Sequence, residues 1–149
     1  MYEIFIQRKR TDIPDVTVKK SSDIIPTLLR LYPEEDGIRE TCRAVLLDAR
    51  HRTMGHYLVS TGSVNKVIVD LRGIATAALK AGARAVILCH NHPSGNPQPS
   101  GSDRDQTDNL RQALSLLDIE LLDHIVLGED KYFSFAEETT WRYPKRIAC

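Results

Sequence analysis

The sequence lacks any excess of charge: 20 Lys and Arg are matched by 20 Asp and Glu. A protein that grips nucleic acid or an anionic membrane through its whole-chain field needs a basic surplus, and none is present. The one basic cluster, Arg8-Lys9-Arg10 with Lys19-Lys20, has only Phe5 as an interleaved aromatic and reads as a solvated face. Cysteine is scarce too. Cys42, Cys89 and Cys149 are an odd number without paired spacing, which excludes a zinc finger or disulfide framework and fits a reducing compartment. No apolar run approaches the ~18 residues of a membrane span. The start, Met1 to Gln7, alternates instead of forming the apolar block of a signal peptide, so the expected location is the cytoplasm with no membrane partner. Repeats and low-complexity blocks are also absent. What remains is 149 residues, 42% hydrophobic, enough to bury one core.

Residues 2–8 alternate and predict an edge strand. Ser21 to about Leu31 has helical spacing, opened by Ser22 or Asp23 with Pro26 in the first turn, and Pro33-Glu-Glu-Asp-Gly37 breaks it. Thr41–Leu47 and His56–Ser60 read as strands joined by a polar turn around 49–53. Leu71, Ile74, Ala75, Ala78 and Leu79 form the stripe of a buried helix that Gly82 is placed to end. Ala85 to Cys89 is a buried strand. A second long helix starts near Ser102 and buries Leu110, Ala113, Leu114 and Leu117, and strands at 119–127 and 132–135 around Gly128-Glu-Asp130 close the chain. Strands and helices share one core.

The chemistry is concentrated in fourteen residues, His90 to Asp103. His90 and His92 are two apart, so on an extended segment both imidazoles project from one side and can converge on one ion. The turn-rich loop Pro93 to Gly101 is long enough to fold back and bring the Asp103 carboxylate to the same point. Two imidazoles and one carboxylate leave a fourth tetrahedral position for water, the pattern of a catalytic zinc. Ser100-x-x-Asp103 reads equally as a capping box opening the following helix, and both roles can coexist. The apolar strand delivers His90 at its end, where α/β sheets place ligands.

His90-x-His92, Ser100 and Asp103 match the signature of the JAMM (MPN-type) metalloproteases. His90-Asn-His-Pro-Ser-Gly95, Pro99-Ser100, Thr107 and Leu122-Asp-His124-Ile125, with Gly62 and Arg72 upstream, resemble the RadC-like branch in particular, over about residues 36–136. The resemblance implies an α/β fold, a single mixed-sheet domain flanked by helices of the cytidine-deaminase-like kind. Residues 1–35 are then an N-terminal strand and helix extension packed on a metal domain at 36–149. It implies one Zn²⁺ on His90, His92 and Asp103, Glu40 as general base at the start of an early strand, and Ser100 as oxyanion donor. Glu34, Glu35 and Asp36 are the competing carboxylates, in a turn-prone segment where charges are usually solvated.

Such a site suits hydrolysis of an amide or isopeptide bond. Zinc lowers the pKa of bound water and polarises a carbonyl, and a carboxylate within reach moves the proton to the leaving amine. The alternative is an accessory protein of DNA repair or recombination with a structural or vestigial metal. Many RadC-like proteins carry a helix-hairpin-helix region before the metal domain, and residues 1–35 leave no room for one, so strong intrinsic DNA binding is not expected. A single zinc with a Glu base is poorly suited to phosphodiesters. The peptide or isopeptide substrate and the oligomeric state are not legible. Strand alternation turns Cys89 away from the His90 side. His124 reads as a satisfied core histidine or a partner orienting a ligand. His51 and His56 look like surface, and Arg72 reads as a helix salt bridge.

Overall fold

The computed structural model describes residues 1–32, 38–62 and 69–143. Helix α1 spans Ser21–Leu31, β1 Thr41–Leu47, β2 Thr53–Thr61, α2 Leu71–Ala81, β3 Ala85–Asn91, α3 Gly101–Ser115, β4 Glu120–Leu127, β5 Lys131–Ser134 and β6 Thr139–Arg142. The six strands make one mixed sheet in the order β2-β1-β3-β4-β5-β6, in which β3 and β4 run parallel and the other neighbours antiparallel. This is the α/β single-sheet architecture that the patterning and the resemblance imply. The polar 49–53 turn joins β1 to β2, and α3 makes the crossover that the parallel β3–β4 pair requires.

Both faces of the sheet are covered, and strand alternation sorts the core accordingly. Val45, Leu47, Ala85, Ile87, Cys89, Ile125 and Leu127 pack with Ile24, Ile25 and Leu28 of α1 on one face. Cys42, Ala44, Leu46, Val86 and Leu88 pack with Ile74 and Ala78 of α2 and Leu110 and Leu114 of α3 on the other. Central strands buried on both sides read as continuous apolar runs, which is why Ala85–Cys89 shows no alternation. Each fully buried Ile or Leu contributes ~1.5–3 kcal/mol, so α1 is held chiefly by its apolar stripe.

The ends of the helices follow from local chemistry. The Asp23 carboxylate accepts the backbone N–H groups of Lys19 and Lys20 at 2.8 and 3.0 Å, so α1 begins at Ser21, slightly earlier than the sequence suggests. Pro26 therefore lies past the first turn, on the exposed side. Asp70 caps α2 through Gly73 N–H at 3.1 Å, and Gly82 ends it with φ 73°. Such a left-handed residue carries no Cβ penalty only as glycine.

Several expectations fail. Leu79 and Leu117, expected in the buried stripes of α2 and α3, are exposed, and Leu117 lies beyond the end of α3, where the helical period no longer carries it to the core. Residues 2–8 form no strand: residues 1–10 are exposed and pair with nothing among the described residues. Alternation makes a segment capable of joining a sheet but supplies no partner edge, and the backbone first bonds to the sheet later, where Val18 N–H bonds His51 O and Thr53 N–H bonds Val16 O. Strand β6 was not foreseen, because Thr139–Arg142 is short and three of its four residues are exposed. The segment 33–37, with Glu34, Glu35 and Asp36, and Cys149 lie outside the described residues.

Candidate metal centre

His90 is the penultimate residue of β3 and is 3% exposed. It pairs in register with Cys42 of β1, and continuing that register places Glu40 across from His92. Glu40 lies on the same side as Cys42 by the two-residue period, facing α3. The N-terminus of α3 points into this corner. Ser100 is its N-cap, with Oγ accepting the Asp103 N–H at 3.1 Å while Asp103 Oδ2 accepts the Ser100 N–H at 2.7 Å. This reciprocal box leaves Asp103 Oδ1 directed at His90, and the helix dipole favours the carboxylate charge.

The structure thus brings together Glu40, His90, His92 and Asp103, whose candidate ligand atoms lie within 4.8 Å of one another. His90 Nε2 and His92 Nε2 are 3.0 Å apart. Each is 3.4 Å from an Asp103 oxygen, Oδ1 for His90 and Oδ2 for His92. Glu40 Oε1 stands back, 3.7 Å from His90 Nε2 and 4.0 Å from His92 Nε2. Ser100 is exposed at the rim.

The protonation pattern follows from hydrogen bonds behind the site. Thr107 Oγ1 lies 2.6 Å from the Asp103 carbonyl, which can only accept, so the threonine hydroxyl donates there. It must then accept at 2.6 Å from His124 Nδ1–H, which leaves His124 Nε2 as acceptor for His90 Nδ1–H at 2.7 Å. His92 Nδ1 meets the Asn96 carbonyl at 2.8 Å and is likewise a donor. Both Nε2 atoms therefore carry lone pairs, and these face each other across 3.0 Å beside a carboxylate. Only a cation between them satisfies both, a metal ion or a proton that turns one ring into imidazolium. The donor set fits an ion that takes nitrogen and carboxylate ligands.

Electrostatics agree. Burial would raise the Asp103 carboxyl, but hydrogen bonds and charge from His90 and His92, with Ser100 N–H, outweigh it and hold the group far below the ordinary carboxylate range. Burial would lower His92, but its bond to Asp103 wins and raises it. Glu40 is raised, by burial first, against the two histidines and with help from the Asp103 charge. Burial and then the His90 charge push His124 well below its usual value, consistent with the neutral tautomer that the hydrogen bonds require.

His124 is buried with both ring nitrogens hydrogen-bonded, to Thr107 and to His90, as either reading of a satisfied histidine requires. Cys89 is buried on the α1 face, away from the site. His51 is partly exposed beside Glu120 at 3.7 Å. His56, expected on the surface, is instead half-buried in β2, where burial and then Arg43 lower its pKa. Arg72 is exposed on α2 and stands outside the cluster. Sequence reasoning missed Asn91: its Oδ1 accepts Thr41 N–H at 2.7 Å and its Nδ2 donates to Arg39 O at 2.9 Å, so it grips the backbone on both sides of Glu40. A polar residue between two candidate ligands at a strand end was the available signal.

The RadC-like JAB domain matches residues 18–140. A UPF0758 protein of Stenotrophomonas maltophilia is 48% identical over 99 residues, 66% of this chain and 42% of that protein. One of Aquifex aeolicus is 43% identical over 103 residues (69% and 45%), and one of Pseudomonas fluorescens 37% over 131 residues (88% and 56%). The chain spans about half the length of these curated relatives. Among the described residues no helix is long and apolar enough to cross a membrane. With the match running from before α1 into β6 and enclosing every residue of the cluster, the chain belongs to the RadC-like JAB domain family.

Proposed function

We propose that this chain is a zinc-dependent hydrolase of amide or isopeptide bonds, working in the cytoplasm. The observation that carries the reading is the unequal spacing of the cluster. His90, His92 and Asp103 present atoms 3.0–3.4 Å apart, while Glu40 stands 3.7–4.0 Å away. Ligands ~2.0 Å from a tetrahedral zinc are separated by roughly 3.3 Å, so three residues fit as ligands and the fourth as a group one step removed. His90, His92 and Asp103 would hold Zn²⁺, which when bound supplies Lewis acidity and a more acidic water.

The chain's own groups do the rest. Glu40, raised by burial, takes the proton of the attacking water and later delivers it to the leaving amine. Ser100 Oγ accepts from Asp103 N–H, so its own hydrogen is free to donate to the oxyanion that develops on the substrate carbonyl. Asn91 keeps Glu40 at its distance, and Thr107 with His124 keeps His90 in the ligating tautomer. Binding of duplex DNA should stay at the ~10⁻⁴ to 10⁻⁶ M of non-specific contacts at physiological salt, which fluorescence anisotropy checks.

The test is a screen of peptide and isopeptide substrates with zinc-loaded wild type and Glu40→Gln. The variant should keep its zinc and its fold and lose ~10²- to 10⁴-fold in rate. Turnover at the wild-type rate, or loss of zinc, would show that Glu40 is not the base. A submicromolar DNA affinity would favour the repair-accessory reading instead.

A further inference from the structure

His92 lies beyond the end of β3, on the loop that leads to α3, so the strand does not fix its ring as it fixes His90. Its imidazole takes its direction from the Asn96 carbonyl, 2.8 Å from Nδ1. That carbonyl is only as well placed as the loop 93–97, and the loop leans on the turn between β4 and β5. His92 N–H donates to Leu127 O at 2.8 Å, and Glu129 N–H donates to Gly95 O at 2.9 Å. Gly95 turns the loop with φ 82°, and its Cα side faces Glu129, whose Cβ would be 3.2 Å from an added Cβ. Gly128 closes the contact. Its φ is not in the left-handed region, so backbone freedom does not explain the glycine. Space does: a Cβ at 128 would overlap the Gly95 carbonyl oxygen and lie 2.8 Å from Cδ of the buried Pro97.

We propose that the β4–β5 turn, through the bare backbone of Gly128 and the N–H of Glu129, is the template that aims His92 Nε2 at the metal, making Gly128 a positioning residue for a ligand it never touches. The proposal rests on the reading of His92 as a ligand. The turn supplies what the β3 strand cannot, a rigid surface on which a loop rich in glycine and proline adopts one shape. A side chain at 128 would push the loop off the turn far enough to clear the Gly95 carbonyl oxygen and Pro97 Cδ, moving Asn96 O and with it the ring. Supports of this kind typically change metal affinity ~10- to 100-fold when altered.

A double-mutant cycle tests it, with Co²⁺ as the probe. Affinity is measured by chelator competition, and the visible d–d spectrum reports the coordination sphere. The full chain is compared as wild type, Gly128→Ala, His92→Ala and the double variant. Gly128→Ala should weaken Co²⁺ binding ~10- to 100-fold and shift its spectrum toward that of His92→Ala. In the His92→Ala background it should have no further effect, because the group through which it acts is gone. Additive losses would mean that Gly128 acts on the fold at large, and wild-type affinity would mean that the loop does not depend on the turn; either overturns the proposal. If His92→Ala itself binds Co²⁺ as wild type does, the ligand assignment fails and the proposal falls with it. Should Gly128→Ala not fold by circular dichroism, Pro97→Ala, which opens the contact instead of crowding it, goes through the same cycle and must give the same non-additive pattern.

Discussion

Where β3 and β4 begin, His51 stands 3.7 Å from Glu120, and Arg84 2.8 Å from Asp118. Where β3 finishes, His90 stands 3.4 Å from Asp103 and 3.7 Å from Glu40. The residue types and distances are alike, and the surroundings are not. The first pairs have side chains 38–92% exposed, the second 3–11%. In water a pair of charges is screened and each group keeps other partners. Under α3 the same groups have one another, and the hydrogen bonds of Thr107, Asn96 and Ser100 decide which lone pairs are left. Burial with directed support makes a site, and charge composition does not.

The contrast breaks first at the metal. His90→Ala and His92→Ala should each lose most of about one zinc per chain by elemental analysis, while His51→Ala keeps it. Wild-type metal content in the His90→Ala/His92→Ala double variant would sink the assignment.

Ser100→Ala is the next effect in size. It removes the cap of α3, which should lower stability by ~0.5–2 kcal/mol in thermal melts and also lower turnover through the lost donor. Unchanged melting and unchanged turnover together would leave Ser100 without a role.

Asp123 sharpens the comparison with pH. It is 6% exposed, and burial pushes its carboxyl up to about 6 despite hydrogen bonds from Ala136 N–H, the Ser134 hydroxyl and His124 N–H. The unperturbed carboxyl titrates at 3.8. Between those values the native state holds a proton that the unfolded chain has released, so stability falls as pH rises through that window. Asp123→Asn keeps acceptors for both N–H groups and should flatten that slope. Melting temperatures from pH 4 to 7 that run parallel in the two proteins would contradict this. The smallest effect belongs to the exposed end, where Arg84→Ala should cost less than ~1 kcal/mol and lose even that in high salt.

The sequence was most legible where one principle acts alone. Ile74 and Ala78 of the α2 stripe with the helix end at Gly82, the apolar β3 and the His90-x-His92…Asp103 spacing need only periodicity and turn chemistry. Glu40 needed the family resemblance, since a lone glutamate before a strand has no local mark, and only the β1–β3 register shows what it faces. Asn91 as a clamp and the Gly128 contact are tertiary throughout. Residues 2–8 were misread for the opposite reason: the local signal is strong and the partner is lacking among the described residues.

The register of β1 on β3 also sets an order of assembly. His90, His92 and Asp103 lie within fourteen residues, a span that a nascent β3–loop–α3 segment contains by itself. Glu40 is fifty residues upstream of His90 and meets them only when β1 zips against β3. Closing that longer loop costs chain entropy that the sheet must first offset. If Glu40 is the base of the proposed hydrolase, an ion captured early would sit beside no base until the sheet closes, and the incomplete fold would be inactive towards its neighbours.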